Sequence, residues 1–191
     1  MRASLLLILI SEIFVLSGVC GGVLSRAGLC RLKASFFLLC VFVTDSFLLR
    51  PSEQLYVSPA CVIIPVFVYC AAYFSGEPKP ALSVPMSLLV GALLFPLTLT
   101  GEEWTAFAIG AVSALPAFIL DTLTSASSAA LAPLIAQISA FAYCSVKEGY
   151  ASLDLSGAAL TSQLFALICV FMIKASIQKE RYNGILRSRV S

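Results

Sequence analysis

Five polar side chains stand within or at the rims of otherwise apolar stretches: Glu12, Asp45, Asp121, Gln137 and Gln163. Carboxyl and amide groups in such surroundings can hold a proton, bind a cation or hydrogen-bond a polar solute. Glu12 is the most informative, half-way along an apolar run with Ile10 and Ser11 before it and Ile13 and Phe14 after. An ionised acid at the centre of a bilayer costs about 2.5–3.5 kcal/mol on insertion scales, so Glu12 must be protonated, paired or turned toward water inside a bundle. No lysine or arginine lies deep enough in the apolar runs to pair with it. The expectation is a neutral acid hydrogen-bonded to Ser, Thr or a carbonyl freed by proline. It serves either as a proton-coupling or cation-binding group, or as a polar bolt between helices.

Asp45 stands five residues before Arg50, close enough for an ion pair at a helix rim. Asp121 opens the stretch Asp121-Thr122-Leu123-Thr124-Ser125, rich in residues that cap helix N-termini, so capping is its structural alternative to ligand binding. Gln137 and Gln163 can bridge helices or contact a polar solute.

Other chemistry is excluded by composition. The chain has no histidine, which removes Ser-His-Asp and Cys-His catalysis and every histidine-ligated metal site. Its seven cysteines (Cys20, Cys30, Cys40, Cys61, Cys70, Cys144, Cys169) form no C-x-x-C pair, and an odd count argues against a disulfide framework. In apolar runs a free thiol packs as a small hydrophobe. Neither a metal nor a cofactor is expected, and a net charge of +2 offers no basic excess for nucleic acid.

The elements that position these residues follow from hydropathy. The 191 residues are 60% hydrophobic and 12% charged, far from the balance of a soluble domain. Runs of membrane-spanning length predict an all-α, polytopic transmembrane bundle of seven spans: 4–25, 34–49, 55–74, 82–100, 104–120, 126–146 and 155–173. Residues 1–173 make the helical domain and 174–191 a basic tail suited to an anionic leaflet. With the N-terminus outside, Arg26, Arg31, Lys33, Lys79, Lys174, Lys179, Arg181, Arg187 and Arg189 fall on the inner side. Only Arg2, Arg50 and Lys147 fall outside. That bias predicts an N-out, C-in protein of the plasma membrane with a cytoplasmic tail. Three basic residues following the first run favour its retention over cleavage as a signal peptide.

Six prolines lie within these spans: Pro59, Pro65, Pro85, Pro96, Pro116 and Pro133. Each removes a donor and frees a carbonyl that a neighbouring helix or a water-lined cavity must satisfy. Gly18 with Gly22, and Gly110 with Ala114, offer small-residue seams. The stretches Phe42-Val43-Thr44-Asp45-Ser46-Phe47 and Phe118-Ile119-Leu120-Asp121-Thr122-Leu123 are alike, each with a proline (Pro59, Pro133) some way downstream. They suggest an inverted repeat in which spans two to four match spans five to seven, the plan of many secondary transporters.

At Val57-Ser58-Pro59-Ala60-Cys61-Val62-Ile63-Ile64-Pro65, and again at Asp154-Leu155-Ser156-Gly157-Ala158-Ala159, the chain resembles an uncharacterised prokaryotic membrane family, domain of unknown function 1614. Ala60 and Cys61 stand where that family's pattern has glycines. The resemblance implies a multi-pass inner-membrane protein and assigns no activity and no functional residue. Length and hydropathy also resemble the substrate-binding subunits of energy-coupling-factor vitamin transporters, which normally have six spans.

The functional expectation is a non-enzymatic protein for transport or permeation of a small solute or ion, with a midplane site formed by Glu12, Asp45, Asp121, Gln137 and Gln163. The lipid bilayer is its expected partner, and a second copy or a membrane complex is compatible with it. The alternative is a membrane scaffold whose polar residues only join helices. A third reading, an intramembrane aspartyl protease, needs Asp45 and Asp121 side by side.

Overall fold

Apolar runs whose carbonyls and amides must be satisfied locally become helices, and the computed structural model forms them along nearly the whole chain. It describes residues 3–18, 21–26, 30–77, 79–100, 103–149 and 151–190. The helices are α1 (Ala3–Ser17), α2 (Gly21–Arg26), α3 (Arg31–Asp45), α4 (Pro59–Phe74), α5 (Ser83–Thr98), α6 (Glu103–Ser113), α7 (Thr122–Glu148) and α8 (Gly157–Val190). Turns of 3-10 helix precede α5 (Pro80–Leu82) and follow α6 (Leu115–Phe118). Three short strands, β1 (Leu49–Ser52), β2 (Leu55–Val57) and β3 (Leu153–Leu155), make a small sheet in that order, β1–β2 antiparallel and β2–β3 parallel.

Each of the seven apolar runs thus yields a helix, and four of their boundaries change for physical reasons. Gly18 takes φ of +80°, a left-handed turn that ends α1, so the first run is two helices and Gly18 and Gly22 share no helix face. The third run begins as strand β2 before Pro59 starts α4. Pro116 breaks the fifth run into α6 and a 3-10 turn. From Lys174 onward the basic segment is helical and continues α8, whose 34 residues extend over about 51 Å.

Three helical stretches, Pro80–Thr98, Thr122–Glu148 and Gly157–Glu180, are long and apolar enough to cross a membrane, which is compatible with a membrane location. Ala3–Ser17, Pro59–Phe74 and Trp104–Phe118 are apolar but shorter. The outward faces are as apolar as the core. Leu6, Leu9, Ile13 and Leu16 line the exposed face of α1, and Val84, Leu88, Leu89 and Leu93 that of α5. Long apolar stripes of this kind are rare on the water-facing surface of monomeric soluble proteins.

α7 is central. Small side chains along it (Ala126, Ala129, Ala130, Ala132, Ala136) are buried, letting α4, α5, α6 and α8 close around it. The α5–α7 contact is the most extensive. A Cβ on Gly91 would lie 2.7 Å from Cβ of Ile135 and 2.9 Å from the carbonyl of Ala132, so only glycine permits this approach. Gly110 meets the carbonyl of Ser162 in the same way, as its predicted role as a seam requires.

Hydrogen bonds fix which helix ends meet. Ser4 of α1, Asp45 of α3 and Ser58 before α4 gather at the end that carries the sheet. Glu77 beyond α4, the start of α7, and Lys174 of α8 gather at the other. Consecutive long helices therefore alternate in direction.

Candidate functional site

Gln163 sits in the middle of this packing with no exposed surface. Its Nε2 donates to the carbonyls of Cys61 in α4 and Ala130 in α7, both at 2.9 Å. The Cys61 carbonyl is the one that Pro65, four residues on, leaves without its helical donor. Ala130 lies three residues before Pro133, which interrupts α7. One amide thus bridges two proline-broken helices, the bundle-joining role rather than solute contact. Its Oε1 remains buried without a partner, as do the hydroxyls of Ser113, Ser127 and Ser128.

Of the six prolines, only Pro65, Pro96 and Pro133 interrupt helix interiors. Pro59 occupies the start of α4, Pro85 the first turn of α5 and Pro116 the start of the 3-10 turn, where a missing N–H leaves nothing broken. The broken backbone is correspondingly smaller than six prolines imply.

The acids take separate places. Glu12, half-buried in α1, accepts from the hydroxyl of Ser35 in α3, and its other oxygen is buried without a partner. Asp45, 7% exposed at the end of α3, accepts from Ser4 at 3.4 Å and from Ser58 at 3.3 Å. α1 and α3 therefore exchange two reciprocal acid–serine contacts. The ion pair expected between Asp45 and Arg50 does not form, because Arg50 instead stacks over the Tyr56 ring at 4.9 Å.

Asp121 is exposed and holds the N-cap position of α7, but its side chain makes no capping hydrogen bond. That function belongs to Glu77. Its Oε1 accepts from the backbone N–H of Leu123 at 2.8 Å, and its Oε2 from the N–H of Thr124 at 2.8 Å and the Thr124 hydroxyl at 2.9 Å. A carboxylate at a helix N-terminus satisfies orphan donors and the positive end of the helix dipole together. Asp45 and Asp121 lie at opposite ends of the 16-residue α4, about 24 Å apart along its axis, and form no carboxylate dyad.

Gln137 alone of the five opens onto a polar space. It lines a recess of about 360 Å³ with Ala140, Phe141, Cys144 and Glu148 from the same face of α7, Thr98 and Leu99 from the end of α5, and Ser152 before β3. From Glu148 to Gln137 the lining spans eleven residues of α7, or about 16 Å along the helix axis, and the space is more open than enclosed. Further along α7 from Gln137, outside the lining, Val90, Leu94, Ile109, Ala132 and Ala136 pack together and Gly91 touches Ile135. A second, partly open cavity of about 110 Å³ lies among α1, α3, α4 and α8, lined by apolar side chains such as Phe14, Phe37 and Phe171.

The structure therefore does not bring Glu12, Asp45, Asp121, Gln137 and Gln163 into one midplane site. The polar recess holds Gln137, and sequence reading missed its companions Thr98, Glu148 and Ser152. A signal for part of it exists: Gln137, Cys144 and Glu148 recur at seven and four residues, one stripe of α7. Among the described residues no group of three Cys, Asp or Glu side chains could hold a metal, and the six described cysteines are free thiols. The chain matches no protein-family model, no curated protein and no solved structure.

Proposed function

We propose that this chain is a multi-pass membrane protein that admits small polar solutes through the recess between α5 and α7. The observation that carries the reading is the recess itself, an open, half-polar groove that follows α7 for about 16 Å from Glu148 to Gln137, roughly half the hydrocarbon thickness of a bilayer. An open groove with the tight α5–α7 contact at Gly91 beyond it fits one access state of a transporter whose site lies near mid-membrane. The apolar outward faces and the three long helices support embedding in lipid.

Charge supports the orientation. Arg31, Lys33, Lys79, Lys174 and Lys179 belong to the end opposite the sheet, which the positive-inside rule assigns to the cytoplasm of a plasma-membrane protein. The recess then opens outward, and the terminal part of α8 lies on the cytoplasmic side.

One observation favours a second reading, a scaffold or subunit of a membrane complex: Glu12, Asp45, Glu77 and Gln163 are all engaged in joining helices. Uptake of urea and guanidinium into proteoliposomes separates the two. Transport requires flux above protein-free vesicles and its loss in Gln137→Leu with folding intact. Vesicles no leakier than controls to either probe would leave the scaffold.

A further inference from the structure

We infer that the recess selects positively charged solutes, with Glu148 at its mouth as the selecting group and Gln137 with Thr98 as hydrogen-bonding contacts below. This rests on the transport reading of the same recess and names its substrate class. Among the described residues, Glu148 is the only charged side chain lining the space, whose other polar groups, Thr98, Gln137 and Ser152, are uncharged.

The basic side chains described at this end of the bundle are turned to aromatic rings outside the lining. Lys147 lies over Tyr143 at 5.6 Å, and Arg50 over Tyr56 at 4.9 Å. Two further carboxylates, Glu53 in the β1–β2 turn and Asp154 in β3, are exposed on the sheet at the same end. A cleft with low-dielectric walls and charge of one sign concentrates counter-ions and raises their encounter rates by about 10–1000-fold. An anion entering here would meet the Glu148 carboxylate with no lysine or arginine among the described lining residues to receive it.

Cys144 provides a native reporter, since its side chain lines the recess one helical turn below Glu148. The full-length protein in nanodiscs of neutral phosphatidylcholine is treated with trimethylammonioethyl or sulfonatoethyl methanethiosulfonate. Modification of the Cys144 peptide is followed by mass spectrometry, each rate being normalised to that of a small free thiol. The cationic reagent is expected to react at least about 10-fold faster than the anionic one, and Glu148→Gln to bring the ratio close to one. Equal rates in the native protein would overturn cation selection while leaving an aqueous recess, and so the transport reading, in place. A high ratio unchanged by Glu148→Gln would overturn the role given to Glu148. If Cys144 reacts with neither reagent until the protein is denatured, the recess is not aqueous and both the inference and the transport reading fall.

Discussion

The Nε2 of Gln163 donates to the very carbonyl, that of Cys61, from which Pro65 has removed the helical donor. A defect in one helix is thus repaired by a side chain a hundred and two residues away. Cys61 is fully buried, so its freed carbonyl has no bulk water to turn to and the Gln163 amide takes the place of the lost donor.

Gln163→Leu should therefore destabilise the protein by about 1–3 kcal/mol, because the buried Cys61 carbonyl loses its donor and the Ala130 carbonyl one of its bonds. In a Pro65→Ala background, where the substituted residue supplies the missing N–H, the same change should cost roughly 1 kcal/mol less. Thermal unfolding in detergent of the four proteins in this cycle measures the difference. Equal losses in both backgrounds would mean that Gln163 does not serve the Cys61 carbonyl.

Glu77 and Asp121 should behave oppositely to their sequence positions. Glu77→Gln, which keeps the shape but removes the charge facing the N-terminus of α7, should cost about 1–2 kcal/mol. It should also speed amide exchange at Leu123 and Thr124. Asp121→Ala, at an exposed side chain without a capping bond, should stay within about 0.5 kcal/mol of the parent. Hydrogen-exchange mass spectrometry over residues 121–126 would reveal a reversal of these roles.

Glu12→Gln keeps an acceptor for Ser35 and removes the acid at that position. Because Glu12 does not line the recess, urea and guanidinium uptake should be unchanged. Glu12→Leu, which strands the Ser35 hydroxyl, should cost about 1 kcal/mol of stability without affecting the residual flux per folded molecule. A tenfold fall in uptake by folded Glu12→Gln protein would place the acid on the permeation path after all.

Gly91→Ala forces the tight α5–α7 contact beyond the recess. The new methyl collides with Ile135 and with the backbone of Ala132, and overpacking of this kind costs about 1–3 kcal/mol. Splaying α5 from α7 should also raise passive solute leak in proteoliposomes. A lowered melting temperature with tighter vesicles would show that the constriction lies elsewhere.

Hydropathy was enough to place a helix in each apolar run, because the period and length of such runs are local properties. What it could not place depends on distant partners. The strands at 49–52, 55–57 and 153–155 are three or four residues long, and β2 finds β3 only through the folded bundle. Glu77 reads as a loop residue until α7, forty-six residues on, is brought beside it. Gly18 lies in a run so apolar that its break in the helix leaves no trace in the hydropathy, although Gly18-Val19-Cys20-Gly21-Gly22 carries the glycines that permit it. Of the five singled-out residues, Gln137 alone reaches the recess. The sequence shows that a polar group is buried but not whether its partner is another helix or water.

The parallel pairing of Tyr56 with Asp154 bears on biosynthesis. β2 leaves the ribosome early, and its neighbour is translated only after α4, α5, α6 and α7 have followed. Until β3 has been made, β2 has an unfilled strand position on that side. Closing a loop of that length is a slow, late event. A chain halted before β3 would leave that edge of β2 unpaired, and an unpaired strand edge is a template for pairing with other chains.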